Sequence, residues 1–194
     1  MANIKIPIEI SARHIHLGNN DLEKLFGKGY ALQPLKKISQ PGQYAAKEAL
    51  KVVGPKNLFK EVRIVGPNRE KTQFELSVTD CYYLGIKPML ALSGENGGVN
   101  DSVTLVGPAG SVELKTGVIV AKRHLHITPS LAKDWGLKHL QEVAVRIEGE
   151  RKLVFNKVIV RSRAGVDDLA LHLDTDEANA AGIKPGDQGI LLKK

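Results

Sequence analysis

Two copies of one tetrapeptide carry the chemistry of this chain: Arg13-His14-Ile15-His16 and Arg123-His124-Leu125-His126. Four of its six histidines lie in them. Side chains on a β-strand alternate faces, so the two imidazoles of each His-x-His point the same way. Paired imidazoles suit a metal ion that prefers nitrogen ligands. A lone His-x-His carries little weight, because histidine serves many roles; the same pair repeated in the same context carries far more. Two imidazoles rarely complete a site, so further ligands are needed. The candidates are His172, within segment 169–173, and Glu75, within segment 72–78. Both segments alternate polar and apolar residues as a half-buried strand does. His139, in a turn region before Leu140, reads as an ordinary surface histidine.

The elements that position these residues also come in two copies. An apolar, β-branched run precedes each pair, residues 4–10 and 118–120. A short helix closed by a glycine follows each, over 18–27 and 127–136, where Thr128 suits an N-cap and Pro129 the first helical position. A unit of strand, His-x-His and short helix that occurs twice implies two similar subdomains with their metal-facing ends near one another. Gly54-Pro55, Gly66-Pro67 and Gly107-Pro108 are turn signals, and segments 102–106, 111–114, 142–147 and 153–160 read as strands. Residues 174–182 read as a capped short helix, followed by a turn and a last strand over 188–192. Many short strands with Gly/Pro turns argue for barrels or a sandwich rather than a βαβ sheet. Residues 94–100 form a glycine-rich loop, and 33–43 read as irregular connecting chain.

With 194 residues, 42% hydrophobic and 25% charged, the chain can bury a core as one domain or two small ones. No apolar stretch approaches the roughly 18 residues of a membrane span, and no signal peptide precedes the first strand. One cysteine, Cys81, excludes a disulfide framework and fits a reducing cytoplasm, with a buried spectator thiol as its reading. The net charge of +7 calls for an anionic partner. Nucleic acid is disfavoured: the basic residues are dispersed, aromatics make up only 5%, and no nucleic-acid-binding motif is readable. A phosphorylated small molecule fits better.

Several segments together closely resemble the phosphate propanoyltransferases, the phosphotransacylases of the propanediol-utilisation type. They are Arg13-His14-Ile15-His16-Leu17, Gln40-Pro41-Gly42-Gln43, Val65-Gly66-Pro67-Asn68-Arg69, Lys122-Arg123-His124-Leu125-His126 and His172-Leu173-Asp174-Thr175-Asp176-Glu177-Ala178-Asn179. The resemblance implies a mainly β fold of two small β-barrels capped by short helices, with the active site at their interface. One barrel would comprise residues 1–12 plus 122–194 and the other 13–121, with a connecting arm at 28–47. It implies reversible transfer of a propanoyl or acetyl group between coenzyme A and orthophosphate, at two divalent metal ions, zinc in the family. His14, His16 and Glu75 look like ligands of one ion, and His124, His126 and His172 like ligands of the other. Arg69 matches the family's phosphate-binding arginine. Family members delivered to bacterial microcompartments carry an N-terminal targeting extension; none precedes the first strand here, so a cytoplasmic location is expected.

These residues suit that chemistry. Acyl transfer from sulfur to phosphate needs a polarised carbonyl, a held phosphate and a stabilised thiolate. An ion on two His and a Glu with an open position is a Lewis acid that also accepts thiolate. A guanidinium grips phosphate bidentately, as lysine cannot, although from its own neighbourhood alone Arg69 reads first as a solvated residue after a turn. Arg13 and Arg123 could hold phosphate, orient a neighbouring group or form ion pairs. For the nucleotide end of coenzyme A the candidates are Ser11, on the approach to the first His pair, Lys36 and Arg63 for charge, and Asn179 on the helix after His172. No Ser, Cys or Asp is set up as a covalent nucleophile, so direct attack by phosphate is expected, and a homodimer is the expected assembly. The competing readings are a dinuclear metallohydrolase acting on a thioester or phosphoester, and a non-catalytic zinc or nucleic-acid-binding module. Structural zinc sites are usually cysteine-rich, which weighs against the latter.

Overall fold

A computed structural model describes residues 4–95 and 101–192. In chain order the elements are β1 (Ile4–Ser11), β2 (His14–His16), α1 (Asn19–Phe26), β3 (Pro34–Lys37), β4 (Tyr44–Val53), β5 (Leu58–Gly66), β6 (Gln73–Glu75), α2 (Val78–Leu84), β7 (Leu90–Ala91), β8 (Val103–Val106), β9 (Ser111–Leu114), β10 (Val118–Ala121), β11 (His124–His126), α3 (Pro129–Asp134), β12 (Glu142–Ile147), β13 (Leu153–Arg161), β14 (Ala170–Asp174), α4 (Thr175–Ala181) and β15 (Gln188–Leu192). The architecture is mainly β with short helices. No helix among the described residues is long and apolar enough to cross a membrane. The chain divides into two compact units, residues 4–11, 39–41 and 122–192, and residues 12–38 and 42–121.

The first unit is a closed six-stranded barrel in the order β1-β14-β11-β13-β12-β15. β1 closes it by changing partners midway: Ile4–Pro7 run antiparallel to β15 and Ile8–Ser11 parallel to β14. Pro7, which has no N–H to give a ladder, falls at that change. Alternation places Ile6 and Ile8 inside the barrel, with Leu125, Val145, Val158, Val160 and Leu171. Each fully buried aliphatic side chain removes apolar surface worth about 1.5–3 kcal/mol from water. Helices α3 and α4 end strand segments with the caps expected of their residues. The Thr128 side chain accepts from Leu131 N, and Asp174 and Glu177 form a reciprocal capping box. Gly182, at φ +66°, closes α4 in the left-handed region.

The second unit is a curled, open nine-stranded sheet in the order β7-β10-β6-β2-β5-β4-β8-β9, with β3 paired to β4. Its core gathers Ile15, Leu17, Leu25, Leu50, Ile64, Phe74, Leu84 and Leu105. Cys81 lies in that core, 1% exposed, as a spectator thiol would. Two turns need glycine for space: a Cβ on Gly54 would lie 2.5 Å from the Leu84 carbonyl oxygen, and one on Gly107 2.4 Å from that of Leu25.

Three elements differ from the sequence reading. Within the expected arm, Pro34–Lys37 pair with β4 as an edge strand; all four side chains are exposed, so no alternation marks them, and proline is tolerated at a strand's start. The strand expected over 72–78 shrinks to Gln73–Glu75, because the Ser77–Asp80 capping box starts α2. Helix α1 starts at Gly18 with no side-chain cap. Most of the glycine-rich loop at 94–100 lies outside the described residues.

Candidate active site

In the open-sheet unit, β2 presents His14 and His16 on one face while Ile15, between them, is fully buried on the other. β6 runs antiparallel to β2 and sets Glu75 opposite His14. The Glu75 carboxylate oxygens lie 3.8 Å from His14 Nε2 and 3.9 Å from His16 Nε2. Ser93 Oγ donates to Glu75 Oε1 at 2.6 Å. Each imidazole is fixed from behind: His14 Nδ1 contacts the Ala12 carbonyl at 2.9 Å and His16 Nδ1 the Val65 carbonyl at 3.0 Å. A carbonyl only accepts, so both Nδ1 atoms carry the proton and both Nε2 atoms are bare acceptors in the neutral ring. Those two Nε2 atoms face each other at 3.2 Å.

The barrel unit builds the same arrangement. β11 sends Leu125 into the core and His124 and His126 to the other face, and β14 sets His172 opposite His124. His124 Nδ1 contacts the Lys122 carbonyl at 2.8 Å, His126 Nδ1 contacts Asp167 Oδ1 at 2.7 Å, and the two Nε2 atoms stand 3.0 Å apart. His172 Nε2 is 3.1 Å from Glu9 Oε2, which also accepts from Ser39 Oγ at 2.6 Å. The His172 contact, the largest influence, holds the Glu9 carboxyl below its usual range.

In both units the ligand-type atoms of the three residues lie within 4.8 Å of one another, so each group could bind a metal ion. The donor set fits such an ion. Burial, the leading cause, pushes His16 and His124 well below the usual imidazole range and His126 below it. Two lone pairs about 3 Å apart repel, and a cation between them removes the conflict.

The duplication extends to the supports, which the sequence reading missed. Arg13 Nε and Nη2 donate to Asp80 at 3.0 and 2.6 Å, with the guanidinium 4.3 Å from the Phe59 ring centre. Arg123 Nε donates to Glu177 at 2.6 Å, with its guanidinium 5.2 Å from Phe155. Asp80 and Glu177 are the third residues of the capping boxes of α2 and α4, each five positions after Glu75 or His172. Of the roles open to the two arginines, the structure selects ion pairing. Each clamps the strand entering a His pair to the helix leaving the third residue.

Arg69 is half-buried beside the first group, its N–H donating to the Leu17 carbonyl at 2.8 Å. Its charge contributes to lowering His16. It lines a cavity of about 280 Å³ with Glu70, Lys71, Thr72, Gln73 and Gly94. Arg63, the β5 partner of His14, donates to the Ala46 and Lys47 carbonyls, and Lys36 is exposed on β3. Ser11 ends β1 opposite Asp174, and Asn179 is exposed on α4. The structure thus groups Arg69, Arg63 and Lys36 with the open-sheet unit, and Ser11 and Asn179 with the barrel. His139 is exposed and accepts from Ser162 N at 3.0 Å.

A family model described as phosphate propanoyltransferase matches residues 7–184. The chain belongs to the phosphate propanoyltransferase family. A protein of that name from Thermotoga maritima is 46% identical over 185 residues, 94% of this chain and 86% of the relative. Others from Sebaldella termitidis and Listeria monocytogenes are each 44% identical, over 96% and 97% of this chain and 88% of each relative. Family membership makes the chain an acyltransferase.

Proposed function

We propose that the chain transfers a short acyl group, propanoyl or acetyl, reversibly between coenzyme A and orthophosphate. Two divalent ions, zinc by the family resemblance, would be held by His14, His16 and Glu75 and by His124, His126 and His172. The observation that carries this reading is the facing of bare Nε2 atoms twice in a chain of this family. Bound there, such an ion supplies Lewis acidity for a thioester carbonyl and affinity for thiolate.

The chain's own groups do the rest. Arg69, lining the cavity beside the first group, grips phosphate oxygens through its planar fork and holds the nucleophile in line. Lys36, Arg63, Ser11 and Asn179 receive the nucleotide end of coenzyme A. Ser93, the hydroxyl beside Glu75, donates to that carboxylate, and Cys81 is buried in the core. Phosphate therefore attacks the thioester directly, without an acyl-enzyme.

The test is thiol release from acetyl-, propanoyl- and butanoyl-CoA with and without phosphate, before and after chelation. Phosphate-dependent release that yields acyl phosphate and stops on chelation is expected. Free acid formed without phosphate would indicate a hydrolase, and full activity in metal-free protein would overturn the reading. Sequential kinetics are expected, and an acyl-enzyme isolated after exposure to acyl-CoA alone would refute direct transfer.

A further inference from the structure

Three of the four paired imidazoles lean on main-chain carbonyls; His126 alone leans on a carboxylate. That carboxylate, Asp167, comes from the segment between β13 and β14, and its side chain is wholly buried. Arg163 holds it through two bonds, Nε to Oδ2 at 2.9 Å and Nη2 to Oδ1 at 2.8 Å. The two groups also differ in composition: the first includes the Glu75 carboxylate, whereas the second is made of three imidazoles, with Glu9 Oε2 3.1 Å from His172 Nε2.

We propose that Asp167, fixed by Arg163, is a positioning residue that sets the tautomer and ring orientation of His126 in the three-histidine group. This rests on the metal reading given above. A neutral imidazole in water prefers its proton on Nε2, the atom that must be bare to bind an ion. An acceptor at Nδ1 reverses that preference, and a carboxylate reverses it more strongly than a carbonyl and raises the ring's donor strength. Arg163 keeps the carboxylate aimed and offsets the cost of burying it.

The experiment uses full-length His14→Ala protein, in which the barrel group is the remaining site, alone and with Asp167→Ala or Asp167→Asn. Zinc affinity is read by chelator competition, and the His126 tautomer by ring 15N shifts in metal-free protein. Trp135 fluorescence checks that the barrel is folded. Asp167→Ala should weaken zinc binding by about 10- to 100-fold and move His126 toward the Nε2–H form. Asp167→Asn, whose amide oxygen still accepts from Nδ1, should restore part of both. Affinity within two-fold of the parent, or a His126 ring still in the Nδ1–H form in Asp167→Ala, overturns the proposal. The tautomer readout needs no metal, so zinc-free behaviour of the parent would sink the metal reading while the role of Asp167 is still decided.

Discussion

Replacing Arg123 by glutamine tests whether that arginine is a strut or a phosphate ligand. It donates to Glu177 at 2.6 Å and to the Asn156 carbonyl at 3.2 Å, and it stands over Phe155. A hydrogen bond between charged groups contributes about 1.5–3 kcal/mol. Arg123 is 34% exposed and Glu177 17%, so the lower end applies; the aromatic contact adds about 0.5 kcal/mol. The expected loss is about 2 kcal/mol, a drop of roughly 1 M in urea midpoint at a slope of about 2 kcal/mol/M. Trp135, the only tryptophan, packs against the barrel core and reports on that unit. A double-mutant cycle with Glu177→Gln should give a coupling of about 1 kcal/mol.

The pH dependence has a definite sign. Burial, the leading cause, raises the Glu177 carboxyl above its usual range, and removing Arg123, which lowers it, raises it further. The folded state then binds the proton more readily than the unfolded one, so stability rises as pH falls from neutral toward the raised value. The deficit of Arg123→Gln should narrow on acidification. In metal-loaded protein the KM for phosphate should stay within two-fold. A midpoint shift under about 0.2 M with a tenfold rise in that KM would refute the strut and make Arg123 a phosphate ligand.

Three further outcomes are expected. Arg69→Ala should nearly abolish turnover with metal content intact; activity surviving within a few-fold would remove its phosphate role. His14→Ala and His124→Ala should each lose a different metal ion, so loss of both ions from either variant in metal analysis would contradict two independent groups. Gly107→Ala should destabilise the open-sheet unit by about 1–3 kcal/mol, since its Cβ would meet the Leu25 carbonyl at 2.4 Å; unchanged denaturation by circular dichroism would contradict that packing.

Local chemistry was readable from the residues themselves. Period-two alternation put both imidazoles of each pair on one face with Ile15 or Leu125 in the core. Thr128, Pro129, Asp174 and Gly182 marked helix ends through their own backbone preferences. These signals act over a few residues, so one sequence carries them. Helix α2 was missed because the alternation of 72–78 imitates a strand, while the capping bonds of Ser77 and Asp80 that end it leave only a weak motif.

Partners distant in sequence were decided by the fold alone. Arg13 meets Asp80 from 67 positions away, His126 meets Asp167 from 41, and Glu9 meets His172 from 163. Each pairing depends on strand order and register, which arise from burying two cores at once and leave no mark in the spacing along the chain. The sequence by itself determined which groups could bind a metal and which way each His pair faces. Only the tertiary structure decided what stands behind His16 and His126, because Val65 and Asp167, the acceptors that set their tautomers, are brought there by packing from 49 and 41 positions away.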